Sequence, residues 1–358
     1  MDAKPEVGRS FQVAGRTVGG GQPTLIVAEI AQAHDGSLGF AHAFIDAAAE
    51  AKADVVKFQT HIADAESTLD ETFRVQFSRQ DATRFDYWRR MEFTPNQWEE
   101  LARHARERAL IFMSSPFSVA AVELLKSIGM PAWKVGSGEF RSRDLLDAMM
   151  ETGAPIFFST GMARWDEIRQ AAALFNSRSV PYALLQCTSL YPTPLIDVGL
   201  NVLSELRAAF GCPVGLSDHS GSVCPGLAAL ARGADIVELH VTFHRGTFGP
   251  DVVASVTFDE LRLICEMRDA VRTMDLNPVQ KDTMAERLAW MRATFGKSLA
   301  PVRALPAGTV LLPEMLVAKK PSGGIPPEAL ETISGRRLLR NAVPNRILNW
   351  SDLAEDGA

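Results

Sequence analysis

Residues 235–245 read DIVELHVTFHR, a β-type run that carries one acid and two histidines. In a strand, successive side chains point to opposite faces, so Val237, Leu239, Val241 and Phe243 share one face while Ile236, Glu238, His240 and Thr242 share the other. An antiparallel sheet with one wet face would give the same alternation. A buried histidine is also more often a hydrogen-bonded core residue than a ligand. Whether the pattern recurs along the chain decides the fold.

It recurs. Strand candidates fall at TLIVAEI (24–30), ADVVKFQ (53–59), LIFMSS (110–115), AWKVGS (132–137), APIFFST (154–160), YALLQCTS (182–189), PVGLSDH (213–219) and DIVELHVT (235–242). Between them lie stretches such as LGFAHAFIDAAAEAK, PNQWEELARHARERA and WDEIRQAAALFNSR, whose apolar residues return at three- and four-residue steps, the helical period. Start and stop signals accompany them: Pro95 opens one helix, Ser142 precedes another and Gly153 follows it. Eight such units in about 250 residues predict a (β/α)8 barrel, with an open doubly wound sheet as the alternative.

Outward from the barrel, 24–275, the remaining segments separate. Residues 1–23 contain FQVAGRTV, read as a small hairpin capping the barrel floor. Residues 276–295 read as a linker with a helix. From 296 to 358 short β-type pieces with Gly and Pro suggest a separate small domain, of a size at which a core is marginal without docking elsewhere. The polar stretch 61–94 interrupts the rhythm after the second strand, where it would overhang the catalytic face as a lid or run as a surface loop.

Composition narrows the function classes. The 358 residues are 46 % hydrophobic and 22 % charged, with a net charge of -6, so no basic stripe for nucleic acid is present. No run approaches the ~18 apolar residues of a membrane span, and the N-terminal stretch lacks a signal-peptide core. A cytoplasmic enzyme is the expectation. The four cysteines, Cys187, Cys212, Cys224 and Cys265, show no CxxC spacing and read as small core residues.

In a barrel the active site lies at the C-terminal strand ends, and there the polar residues gather: Glu29, Lys57, Gln59, Ser114, Ser115, Lys134, Ser137, Glu139, Ser159, Thr160, Tyr191, Ser217, Asp218, His219, Glu238 and His240. Lysines in apolar strands need partners. Lys57 and Lys134 either pair with acids such as Glu29 or Glu139, or, with the serine hydroxyls, receive a multiply charged anion. His219 and His240 end adjacent strands with inward parity, and near Glu29 they could hold a divalent ion in a mixed nitrogen and oxygen shell, as Mn²⁺ favours. Glu238, a layer below, is read as a partner that orients His240.

The ordered motifs AEIAQAHDG, VKFQ, SSPF, KVGSGE, STGM, CTSLYPTP, GLSDHS, ELHVT and FGPDVVAS resemble the sialic acid synthase family, and KKPSGGI resembles the hallmark of its C-terminal antifreeze-like (SAF) domain. The resemblance implies condensation of phosphoenolpyruvate with an open-chain aldose. It implies His219 and His240 as Mn²⁺ ligands, and Lys57, Ser115, Lys134, Ser137, Ser159 and Ser217 around phosphoenolpyruvate. It implies Glu29, Glu139, Tyr191 and Asp251 as catalytic groups facing metal and sugar. It also implies a domain-swapped homodimer in which Lys320 approaches the partner's site.

Departures bear on the sugar. Ala31 and Ala33 stand where the family usually has Gly and Asn, and Lys320 stands where it has an arginine, whose planar fork a lysine does not reproduce. His244 and Arg245 are candidates for contact with an acidic or phosphorylated sugar. A Schiff-base aldolase using Lys57 or Lys134, and a non-catalytic sugar-acid binding protein, are the competing readings.

Overall fold

A computed structural model describes residues 10–355; residues 1–9 of the expected N-terminal cap lie outside the described residues. The chain divides into two compact units between Leu276 and Asn277.

In the first unit, eight parallel strands form the wall of a nearly closed barrel: β3 (Leu25–Ala31), β4 (Val55–Thr60), β5 (Ile111–Pro116), β6 (Trp133–Val135), β7 (Ile156–Ser159), β8 (Tyr182–Cys187), β9 (Val214–Asp218) and β10 (Ile236–Thr242). They are hydrogen-bonded in the order β5-β4-β3-β10-β9-β8-β7-β6, and β5 and β6, the two ends of that order, lie against each other. A short β11 (Val256–Thr257) pairs with the end of β10. Every residue of β3 and β10 is buried, as helices on the outside and side chains on the inside require.

The helices follow their start and stop chemistry. They are α1 (Leu38–Glu50), α2 (Ala63–Glu66), α3 (Arg84–Met91), α4 (Pro95–Glu107), α5 (Val119–Ile128), α6 (Arg143–Met150), α7 (Trp165–Ser177), α8 (Asn201–Phe210), α9 (Val223–Ala231) and α10 (Phe258–Leu276). Thr94 and Gln97 cap α4 reciprocally with Pro95 in its first turn. Gly129 and Gly211 end α5 and α8 in the left-handed conformation. Ser142 precedes α6, but its hydroxyl donates to Glu139 at 2.6 Å instead of capping the helix.

The hairpin β1 (Ser10–Val13) and β2 (Arg16–Gly19) packs at the N-terminal strand ends, where Phe11 meets Phe157 with ring centroids 6.0 Å apart. Arg16 pairs with Asp54, the residue before β4. Asp54 also accepts from Arg268 of α10 at 2.7 Å and from the Ile26 amide at 2.8 Å. One buried carboxylate thus joins hairpin, barrel floor and last helix. Removing it leaves Arg268 without that partner, so Asp54→Ala is expected to destabilise the chain by about 2 kcal/mol, read as a lower urea midpoint at unchanged slope.

The insertion 61–94 is built, with α2 and α3 around a cluster of Tyr87, Trp88 and Met91 joined by Phe73, Phe77 and Phe85. Arg90 ties it to the loop after β3, donating to Asp81 at 2.8 and 2.9 Å and to Asp35 at 2.7 Å. Gly36, at φ 77°, passes so close that a Cβ there would lie 2.4 Å from the Arg90 carbonyl oxygen, which explains a glycine at that turn.

The second unit has α11 (Lys281–Arg287), α12 (Ala289–Phe295), the antiparallel pair β12 (Ser298–Pro301) and β13 (Leu316–Lys319), and the single-turn α13 (Leu330–Ile333). Its core gathers Leu299, Leu311, Ile325, Ile333, Leu338 and Leu348. The stretch read as a linker therefore folds largely as α11 and α12 within this unit, where the Ser322 hydroxyl and amide both donate to the Ala293 carbonyl at 3.0 Å.

Candidate active site

The barrel's C-terminal face opens into a cavity of about 440 Å³ lined by Glu29, Lys57, Ser115, Lys134, Ser137, Glu139, Ser159, Tyr191, Ser217, His219, His240 and Asp251. Strand register places them. Glu29 on β3 stands between Lys57 on β4 and His240 on β10, each its direct Cα partner, so an acid, an ammonium and an imidazole form one row.

At the lysine end the charges interlock. Lys57 Nζ lies 2.6 Å from Glu29 and 3.8 Å from Glu238, and donates to Ser115 Oγ at 3.1 Å. Lys134 Nζ and Ser217 Oγ both donate to Glu238 Oε1 at 3.0 Å. Burial works to raise Glu238, but Lys134 and Lys57 outweigh it and hold the carboxyl down to about 2. Glu29 goes the other way: burial pushes it up to about 7 against the pull of Lys57, with Glu238 adding repulsion. Burial likewise works against the Lys134 ammonium, yet Glu238 and its other anionic neighbours raise it above its ordinary value.

This corrects the expected role of Glu238, which is the shared counter-ion of two lysines and shows no hydrogen bond to His240. Parity put Glu238 on the inner face correctly, but which strand's side chain it meets there depends on barrel closure. Lys134 accordingly pairs with Glu238, not with Glu139.

Beside the lysines, Ser159 Oγ and Glu238 Oε2 are buried and have no hydrogen-bond partner among the described residues. The Gly161 amide donates to Ser137 Oγ at 3.2 Å, and a Cβ at Gly161 would fall 2.6–2.8 Å from Ser189 Oγ, Ser137 Oγ and Cys187 Sγ. The floor is thus a pocket of hydroxyls and ammonium groups kept open by a missing side chain. Buried polar atoms of this kind normally have partners.

At the other end, the His219 and His240 rings lie 5.3 Å apart. His219 Nδ1 faces the Thr188 carbonyl at 3.0 Å, so it carries the proton and leaves the Nε2 lone pair toward the Tyr191 hydroxyl, 3.0 Å away. Burial lowers both imidazoles to about 3, His219 further disfavoured by His240 and His240 by Lys57. Both are neutral at physiological pH, the state a metal ligand needs.

The insertion closes the outer end. Arg74 lies over the Tyr191 ring, 4.0 Å from its centroid, and donates to Asp251 at 3.0 Å. His61 is stacked between Trp88 and Phe117, with centroids 3.8 and 4.3 Å away, and reaches Glu66 on α2 and Gln59 on β4. Gln59 in turn donates to Glu29 at 3.0 Å. No periodic signal points to Arg74 or His61, because both belong to the aperiodic insertion.

Two candidate contacts, His244 and Arg245, are not in this cavity's lining. Arg245 is tied to Glu260 at 2.7 Å and to the Ser255 carbonyl at 3.0 Å, and His244 Nδ1 accepts from the Gly246 amide at 3.0 Å. Both belong to the loop after β10, stabilised by its own bonds. Lys320 lies in the second unit, its ammonium 4.9 Å from the Phe295 ring centroid.

The NeuB family pattern matches residues 44–278 and the SAF domain pattern residues 296–354. The chain belongs to the NeuB family. This family member is 33% identical to the N-acetylneuraminate-9-phosphate synthase of Homo sapiens, over 91% of each chain. It is 30% identical to the pseudaminic acid synthase of Helicobacter pylori, over 93% of this chain and 98% of the other. Among solved structures, it superposes with a TM-score of 0.69 at 28% identity on the N-acetylneuraminic acid synthetase of Leptospira borgpetersenii in complex with citrate, covering 80% of this chain and 97% of that one. The barrel and the SAF domain are those of this family of sugar-acid synthases.

Proposed function

We propose that this NeuB-family chain condenses phosphoenolpyruvate with an open-chain aldose, giving a 3-deoxy-2-keto sugar acid and phosphate. The observation that carries the reading is the polarity of one cavity: two paired ammonium groups with serine hydroxyls at one end, two neutral imidazoles at the other. A trianionic enol phosphate suits the first end. A divalent ion such as Mn²⁺ suits the second, with His219 and His240 as its protein ligands. Bound there, the ion would supply Lewis-acid polarisation of an aldehyde oxygen.

The chain's own groups then have definite tasks. Lys57, Lys134, Ser115, Ser137, Ser159 and Ser217 neutralise and orient the carboxylate and phosphate. The enol carbon bonds to the aldehyde carbon, water adds to the neighbouring carbon, and its C–O bond to phosphate breaks. Glu29, pushed up to about 7, is poised to take and return a proton at that centre. Glu139, Tyr191 and Asp251 face the aldose, and the insertion shields the cavity from bulk solvent while the reacting water is held inside.

A Schiff-base aldolase is less well supported, because it needs a neutral amine, and Lys134 is held protonated by Glu238 while Lys57 sits 2.6 Å from Glu29. We further propose a cytoplasmic homodimer in which the SAF domain of one chain covers the mouth of the other and brings Lys320 to it. Exposed Leu190, Leu195, Ile196 and Val253, in the loops that carry Tyr191 and Asp251, are apolar surface suited to such a cover. A fully active monomer by light scattering would refute the swap.

The deciding experiment is phosphate release from phosphoenolpyruvate with Mn²⁺ against hexoses, N-acyl hexosamines and pentoses, each with and without a phosphate group. Release is expected only with a suitable aldose, and is expected to vanish with EDTA and return with Mn²⁺. Phosphoenolpyruvate binding by calorimetry without turnover of any aldose would instead mark a sugar-acid binding protein.

A further inference from the structure

Gln32 follows β3 on the mouth side of Glu29 and lines the same cavity. Only 4% of it is exposed, yet among the described residues neither its amide nitrogen nor its amide oxygen has a hydrogen-bond partner. Such a group is costly in a folded chain unless something else satisfies it.

The backbone around it is firmly fixed. The β3–β4 register shifts between Glu29 and Ala31, Ala31 is left-handed at φ 49°, and tight turns bond Ala33 N to Ile30 O at 2.9 Å and Asp35 N to Gln32 O at 3.0 Å. A non-glycine residue at positive φ beside a bulge is strain that the surroundings impose. It directs an unpaired carboxamide into the cavity, outside the layer of Lys57 and Glu29.

We infer that Gln32 is a specificity residue that hydrogen-bonds the aldose, its amide N–H donating to and its carbonyl oxygen accepting from a neutral hydroxyl or acylamino group. This rests on the proposed condensation reaction. A group that both donates and accepts is the complement of a carboxamide, whereas phosphate, which only accepts when fully ionised, would leave the Gln32 oxygen unpaired. The anion layer below it, built from ammonium groups and hydroxyls, is separate in chemistry and in position.

The test compares wild type with Gln32→Leu and Gln32→Met, both close to glutamine in volume. Steady-state phosphate release with the best aldose of the panel is expected to show the aldose KM raised about tenfold or more, with the phosphoenolpyruvate KM within about twofold. The Tm of the variants without substrate is expected at or above wild type, because an unpaired buried amide has been removed. Unchanged aldose KM, or a Tm several degrees below wild type in both variants, overturns the inference, the second outcome marking a structural hydrogen bond. If wild type turns over no aldose, the condensation reading falls separately. The Tm comparison then decides alone: a rise supports an amide kept for a ligand, and a fall overturns it.

Discussion

His240→Ala and His219→Ala are each expected to lower phosphate release from phosphoenolpyruvate and aldose by roughly 10³-fold or more, because a Lewis acid at the aldehyde contributes several kcal/mol to the barrier. The loss should be specific to metal. The His240 side chain is buried and, among the described residues, takes part in no hydrogen bond, so its removal takes away packing but strands no partner. His219 is different, since its replacement also frees the Tyr191 hydroxyl and removes one of the two donors to the Thr188 carbonyl, the other being Thr193 Oγ1. Mn²⁺ is expected to raise the Tm of wild type by mass action and to leave that of either variant unmoved. Equal Mn²⁺ stabilisation of wild type and His240→Ala, or activity within tenfold of wild type, would show that this imidazole holds no metal.

Much of this was legible in the chain because strands and helices announce themselves by period. The alternation in DIVELHVT and seven similar runs carries the barrel, and the end-of-strand rule brings thirteen of the sixteen residues it singled out to one cavity. What parity cannot supply is which inward side chains meet. Glu238 and Lys134 are 104 residues apart and pair only because closure of the barrel brings β10 and β6 to the same interior layer. Local spacing pointed Glu238 at its neighbour two residues on, His240, and Lys134 at Glu139, and both are replaced by contacts across the barrel.

Two other departures have their own physical causes. Arg74 and His61 act from an insertion with no regular period, whose shape is set by an aromatic cluster and by Arg90. Gln32 owes its direction to a register shift after Glu29, which ends the two-residue alternation on which parity depends. The position usually occupied by glycine in the family, Ala31, is left-handed, so a steric reason for that glycine exists independently of the substrate.

The charge layer beneath the proposed anion gives the largest expected effect on stability. Glu238→Gln keeps the shape but removes the charge that two buried ammonium groups share, and a buried pair broken from one side typically costs about 3–5 kcal/mol. Lys57 retains Glu29 at 2.6 Å, whereas Lys134 loses its 3.0 Å carboxylate. The cost should therefore fall mainly on Lys134, and Lys134→Met in the Glu238→Gln background should recover most of it, the two effects being strongly non-additive in urea melts. Restored stability does not restore binding: with one ammonium group gone, phosphoenolpyruvate binding by calorimetry is expected to weaken by at least tenfold in the double variant. Phosphoenolpyruvate should also protect wild type against urea more than it protects the double variant, since it would supply the negative charge proposed for that end of the cavity. If Glu238→Gln melts within about 1 kcal/mol of wild type, or if the double variant binds phosphoenolpyruvate as tightly as wild type, Lys134 is a structural ammonium and the anion is held elsewhere.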